Sequence, residues 1–116
     1  EGSRWVPFDQ LANIYIREQW WDRLLVLLKG NPSLYTIDEY AKFFGNDYSE
    51  DLIDLYIAGI ENLLQEKTGR KFYRAACRYI KKIEKLGGRK RAMEFIDYLK
   101  NEYPQRRALI EELDKV

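Results

Sequence analysis

Histidine is absent from this chain of 116 residues, and Cys77 is its one cysteine. Without an imidazole there is no histidine acid–base catalysis, no Ser-His or Cys-His nucleophile pair and no histidine metal ligand. A single cysteine excludes an internal disulfide and is typical of a reducing compartment. We therefore expect a protein that is not an enzyme, with no catalytic residue, no metal and no cofactor.

Long apolar runs are also missing, since the strongest one, LLVLL at 24–28, is far too short to cross a bilayer. The chain begins EGSRW, without Met and without a signal peptide. We interpret it as a fragment of a longer cytoplasmic protein that has no membrane contact. Residues 1–7 are taken as a lead-in or a remnant of expression, and residues 8–116 as a single helical domain.

Apolar residues recur at helical spacing along the whole chain, and no stretch alternates with a period of two. LANIY at 11–15 resembles LIDLY at 52–56, an offset of 41 residues, which is in the range of helix-pair repeats. The sequence predicts an all-α fold with more than about 65% helix. Six or seven short antiparallel helices would form either a stack of the TPR or HEAT kind or an irregular bundle.

Glycine, proline and capping residues set the predicted helix boundaries. Thr36 with Glu39 three residues later is a capping-box pattern, and Ser49 is a candidate N-cap. A phase shift at Gln19-Trp20 divides the first helical region. The predicted helices are 8–29 in two parts ended by Gly30-Asn31-Pro32, 36–44, 49–66, 70–86, 89–103 and a last turn or two after Pro104. The predicted core residues are Leu11, Ile14, Leu25, Leu52, Leu55, Tyr56, Ala76, Ile80, Ile83, Phe95 and Leu99.

The segment 67–91 contains eleven Lys or Arg residues and one acidic residue, Glu84. At about 100° per residue, the cations of its helix fall within a sector of roughly 120° and the apolar residues lie opposite. A solvated helix normally interleaves Glu with Lys at four-residue spacing, and this one does not. We call the following candidate interaction residues the basic face: Arg70, Lys71, Arg74, Arg78, Lys81, Lys82, Lys85, Arg89, Lys90 and Arg91.

Three interpretations of the basic face stay open. It is a solvated helix surface, a surface for acidic groups within the chain or on a partner protein, or a nucleic-acid-binding stripe. Residues 1–60 carry a net charge of −5 and residues 61–116 a net charge of +6, and the acidic stretch DYSEDLID at 47–54 lies in the helix before the basic one. A whole-chain pI near 8.0 is mild for a dedicated nucleic-acid binder.

Other candidate sites have a structural interpretation. Cys77 is either a thiol activated by Arg74, Arg78 and Lys81 or a small buried core residue, and the second is favoured. One member of the pair Trp20-Trp21 should be exposed, because neighbours about 100° apart cannot both point inward. The carboxylate pairs, such as Glu111-Glu112, are interpreted as structural.

Residues 56–113 carry a resemblance to a known family. YIAGIENLLQEKTGRKFYRAACRYIKKIEKLGG, followed by AMEFIDYLKNEYPQRRALIEEL, resembles the C-terminal helical region of bacterial SWIM zinc-finger proteins. ANIYIREQWWDRLLVLL looks like the preceding helices of that region. The zinc motif, Cys-x-Cys followed by Cys-x-His, is not in this chain. The resemblance implies an accessory helical domain for protein association, beside a zinc module linked with nucleic-acid or protein binding.

Overall fold

The structure, a computed structural model, describes residues 7–31 and 33–116. This part of the chain is 80% helical, with seven α-helices and no strand, which confirms the predicted all-α class and helix content. Residues 1–6 of the expected lead-in, and Pro32 of the expected stop, lie outside the described residues. The helices are α1 (Phe8–Glu18), α2 (Trp21–Lys29), α3 (Leu34–Ala41), α4 (Ser49–Glu66), α5 (Arg70–Lys85), α6 (Arg89–Glu102) and α7 (Arg107–Asp114), with a 3₁₀ turn at Asn46–Tyr48.

The break between α1 and α2 falls at Gln19, as the phase shift predicts. Gln19 adopts the left-handed conformation, with φ 60°, and the Trp20 N–H donates to the Tyr15 carbonyl at 2.8 Å. This C-terminal capping arrangement reverses the chain tightly. Trp20 stays 42% exposed, whereas Trp21 packs against Phe44 with ring centroids 5.6 Å apart. The prediction of one exposed tryptophan is confirmed.

One predicted helix start and one predicted N-cap are wrong. α3 begins at Leu34, after Ser33, so Thr36 lies inside the helix and does not cap it. Leu34 and Ile37 are both buried, and burying Leu34 extends the helix past the local capping pattern. Ser49 is the first residue of α4 and not its N-cap, because the 3₁₀ turn runs directly into the helix.

Helix contacts connect both consecutive and next-but-one helices. α5 packs against α4, α6 and α7, and α4 also contacts α2 and α3. Contacts between α2 and α4, and between α5 and α7, join next-but-one helices, which both a helix-pair stack and an irregular bundle allow. The molecule measures 49 × 30 × 18 Å, and its thinnest dimension fits two layers of helices about 10 Å across.

The buried side chains form one cluster that runs from α1 to α7. Nine of the eleven predicted core residues belong to it, and Leu11 and Ile14 do not. α1 instead turns the fully buried Ala12 inward, with Phe8 and Tyr15 packed on the cluster, so Leu11 and Ile14 fall on the half-buried flank of the helix. Among the described residues, no helix has the length and apolar character needed to span a membrane.

Candidate basic interaction face

The basic face is held outward by the apolar side of α5. Tyr73, Ala76 and Ile80 are buried on that side, so the cations on the opposite side point to solvent. Glycines with positive φ flank the helix, Gly69 before it and Gly87 after it, and they allow the chain to turn sharply at both ends. Eight of the ten residues of the basic face are exposed, and Lys82 and Arg91 are half-buried.

Two of the cations bind α7. The Arg70 guanidinium donates to Glu111 at 2.8 Å and to Glu112 at 2.9 Å, and Arg74 Nε lies 3.6 Å from the same Glu112. Glu112 is 6% exposed, and its hydrogen bond from Arg70 lowers the pKa of its carboxyl despite the opposing effect of burial. Arg70 and Arg74 therefore fasten α7 onto α5. Glu111-Glu112 have a structural role, but through these ion pairs and not through the helix dipole, because they lie in the middle of α7 and not in its first turn.

Two further cations bind acidic groups near α4. Lys82 pairs with Asp38 of α3, which also accepts a hydrogen bond from the Tyr56 hydroxyl at 2.8 Å. Arg91 of α6 lies 2.7 Å from Asp54 and 3.2 Å from Glu50. Glu50 and Asp54 of the acidic stretch thus meet the basic face through Arg91 at the start of α6, and within the described residues they form no ion pair with the cations of α5.

The other six cations are not paired in this way. Within residues 7–31 and 33–116, none of them has a carboxylate oxygen within 4.0 Å. The four on α5 fall within a sector of about 80°, at 100° per residue. We call these six the unpaired cations: Lys71, Arg78, Lys81, Lys85, Arg89 and Lys90.

Arg78 lines two surface depressions, and Lys81 lines the second of them. The first, which we call the α4–α5 groove, has a volume of about 390 Å³ and lies between those helices beside the start of α3. The second lies between α5 and α7, has a volume of about 210 Å³ and contains Cys77 and Glu112. Sequence reasoning missed the groove. Its signal was the small residues Gly59 and Ala75, one on each helix.

Cys77 is buried, as the favoured interpretation held, and its thiol is not activated. Burial is the main cause that raises its pKa to about 11, and the charge of Glu112 adds to it. Lys81 and Lys115 act in the opposite direction and are outweighed. A buried thiolate has no water to stabilise it, so the thiol form is favoured. Cys77 belongs to the core.

Cys77 should accordingly resist alkylation in the folded protein. A thiol with a pKa of about 11 instead of 9.0 holds about a hundredfold less thiolate near pH 8, and the thiolate is the reactive form. We expect iodoacetamide to modify native Cys77 at least about a hundredfold more slowly than the same residue in guanidinium-unfolded protein, as measured by mass spectrometry. Equal rates would show that Cys77 is accessible and ionised in the folded state.

Comparisons with protein-family models, with curated proteins and with solved structures find no match for this chain. The arrangement of side chains on the basic face therefore carries the functional argument.

Proposed function

We propose that this chain is a helical protein-interaction domain, without catalytic activity of its own, that binds an acidic segment of another protein through the unpaired cations. One observation carries the proposal. Four cations of the basic face each have a carboxylate partner, whereas the six unpaired cations are exposed. Four of these six, Lys71, Arg78, Lys81 and Lys85, form a one-signed strip along α5.

Repulsion between the like charges of the strip destabilises α5, and binding of an acidic partner would offset that repulsion. Like charges four residues apart on a helix destabilise it by roughly 0.2–0.5 kcal/mol a pair. Lys81 and Lys85 stand at that spacing on α5, and among the described residues neither has a carboxylate oxygen within 4.0 Å. Glutamate at one of these positions would have stabilised a merely solvated helix. A bound carboxylate segment supplies the missing negative charge from outside.

The net charge of the chain and the groove beside the strip favour a protein partner over a nucleic acid. A net charge of +1 gives little long-range attraction for a phosphate backbone. The lining of the α4–α5 groove beside Arg78 includes Leu34 and Leu63, and these two residues suit a protein side chain. The nucleic-acid-associated accessory domain, the alternative function for segment 67–91, is an outcome of the experiment below.

We also propose that the domain is an accessory part of a larger bacterial, cytoplasmic protein of the SWIM zinc-finger kind. The support is the resemblance of residues 56–113 alone. A Cys-x-Cys and Cys-x-His set encoded upstream in the same gene would add to it.

The proposal is tested with a charge-reversed variant, Arg78→Glu with Lys81→Glu and Lys85→Glu. Arg74 is left in place because it contacts Glu112 and its loss would disturb α7. The probes are a short fluorescein-labelled peptide of Asp, Glu and Ser, and labelled single-stranded and duplex DNA. We expect the wild-type chain to bind the peptide, and the variant to bind it about ten- to a hundredfold more weakly, since surface ion pairs contribute roughly 0.2–1 kcal/mol each.

A matched control carries the same change in net charge elsewhere. Arg17→Glu, Lys29→Glu and Lys42→Glu alter three exposed cations of α1, α2 and the end of α3, and this variant should keep most of the peptide affinity. Equal losses of peptide affinity in the two variants would show that only the net charge of the chain matters, and not the position of the cations. DNA binding that falls steeply between about 50 and 200 mM salt, and is lost only in the first variant, would overturn the proposal in favour of nucleic acid. Absence of peptide binding by the wild type would refute it.

A further inference from the structure

The α4–α5 groove is an indentation that the two helices do not fill themselves. Gly59 lies in the interior of α4, where glycine costs roughly 0.5–1 kcal/mol relative to alanine, and Ala75 lies on α5. Both line the groove. Because neither has a side chain beyond Cβ, the space above them stays open. Larger residues at these two positions would occupy the groove.

The groove has apolar and aromatic lining residues beside polar ones, Ser33 and Asn62. Leu34 and Leu63 contribute aliphatic surface, and the ring of Tyr79 forms part of the α5 side. Tyr35 stands at the rim and is 75% exposed, which is unusual for a large aromatic side chain. Tyrosine and arginine are enriched at positions that dominate protein–protein binding energy. A volume of about 390 Å³ is at the small end for a binding pocket and suits one large side chain.

The charges around the groove determine which kind of segment is favoured there. Arg78 lines the groove and also belongs to the unpaired cations, so a carboxylate beside the entering side chain meets a free guanidinium. Glu66, at the end of α4, lies on the rim toward the start of α5. Its negative charge disfavours a carboxylate there and directs the acidic residues toward Arg78 and Lys85.

We propose that the α4–α5 groove receives one bulky apolar side chain of an acidic partner segment, and that this anchor selects the segment from other acidic sequences. The inference rests on the proposed function, because the unpaired cations attract acidic segments in general and the groove makes the binding selective among them. The occupant is a protein segment with carboxylates on one side of a residue of leucine or phenylalanine size.

The test compares two labelled peptides of equal charge. One is a short Asp/Glu/Ser peptide with a central Ala, and the other has Phe at that position. Fluorescence anisotropy with the wild-type chain should show the Phe peptide binding about tenfold more tightly, as burial of one apolar side chain implies. Ala75→Leu fills the groove without changing charge. It should lower the affinity for the Phe peptide to that for the Ala peptide and leave the Ala peptide unaffected.

Ala58→Leu is the matched control, since Ala58 is an exposed alanine of α4 outside the groove lining, and it should change neither affinity. A second measurement does not depend on the fold of the filled variant. Benzophenone placed at the anchor position should crosslink the wild-type chain at Leu63 or Tyr79, mapped by mass spectrometry. Equal affinities for the two peptides, or crosslinks confined to other surfaces, would overturn this inference and leave the proposed function standing. Failure of both peptides to bind the wild type would overturn both.

Discussion

Replacing Leu55 by alanine is expected to lower the free energy of unfolding by about 2–5 kcal/mol, the range for removing a buried leucine side chain. Leu55 is 4% exposed and belongs to the cluster that joins the helices. The substitution removes apolar surface from the core and leaves a cavity that the neighbouring side chains fill only in part. Urea unfolding followed by circular dichroism measures the change, read at an unchanged m-value.

Val26→Ala is the matched control for this measurement. Val26 is also an aliphatic residue within a helix, and it is 68% exposed. Its truncation should change the free energy of unfolding by no more than about 0.5 kcal/mol, as for other surface substitutions. A loss below about 1 kcal/mol for Leu55→Ala would mean that α4 presents a different face to the core.

Most of the fold was predictable because its signals are local. The helical period of the apolar residues and the breaks at Gly30, Gly45 and Gly87 define α1 to α7 to within a few residues. The errors arose where tertiary packing outweighed a local pattern. Burial of Leu34 starts α3 before the capping box at Thr36, and the helix–helix geometry brings Ala12 inward in place of Leu11.

The candidate site was predictable in its residues and not in its pairing. The one-signed face of α5 follows from the sequence, since helical spacing places the cations together. Which of them are engaged depends on contacts between residues far apart in the chain, such as Arg70 with Glu112 and Lys82 with Asp38. The groove depends likewise on how Gly59 and Ala75 come to face one space. No periodicity within one helix contains that information.

The turn between α5 and α6 is the second place where a small substitution should lower the stability of the fold strongly. A Cβ atom added at Gly88 would lie 2.6 Å from Cδ1 of Ile53, 3.0 Å from Cγ2 of Ile83 and 3.1 Å from the Ile83 carbonyl oxygen. Both isoleucines are fully buried, so neither side chain moves without disturbing the core. The Ile83 carbonyl accepts the Gly88 N–H at 3.0 Å, so it is fixed as well.

Gly88→Ala is therefore expected to destabilise the protein by about 1–3 kcal/mol, as for other overpacking substitutions. Gly45→Ala is the matched control, because its added Cβ meets nothing within 4 Å and its φ of −85° is open to alanine. That substitution should be neutral or stabilise by up to about 1 kcal/mol, through a less flexible unfolded chain. Both are measured by urea unfolding.

Combining Gly88→Ala with Ile53→Val separates steric crowding from other causes. The valine lacks the Cδ1 atom that crowds the added methyl group most closely. Ile53→Val alone should cost about 0.5–1.5 kcal/mol, and in the double variant part of the loss should be recovered, which gives a favourable coupling energy between the two positions. Strictly additive losses would mean that the fixed Ile83 carbonyl, and not the Ile53 side chain, sets the cost of a side chain at this turn.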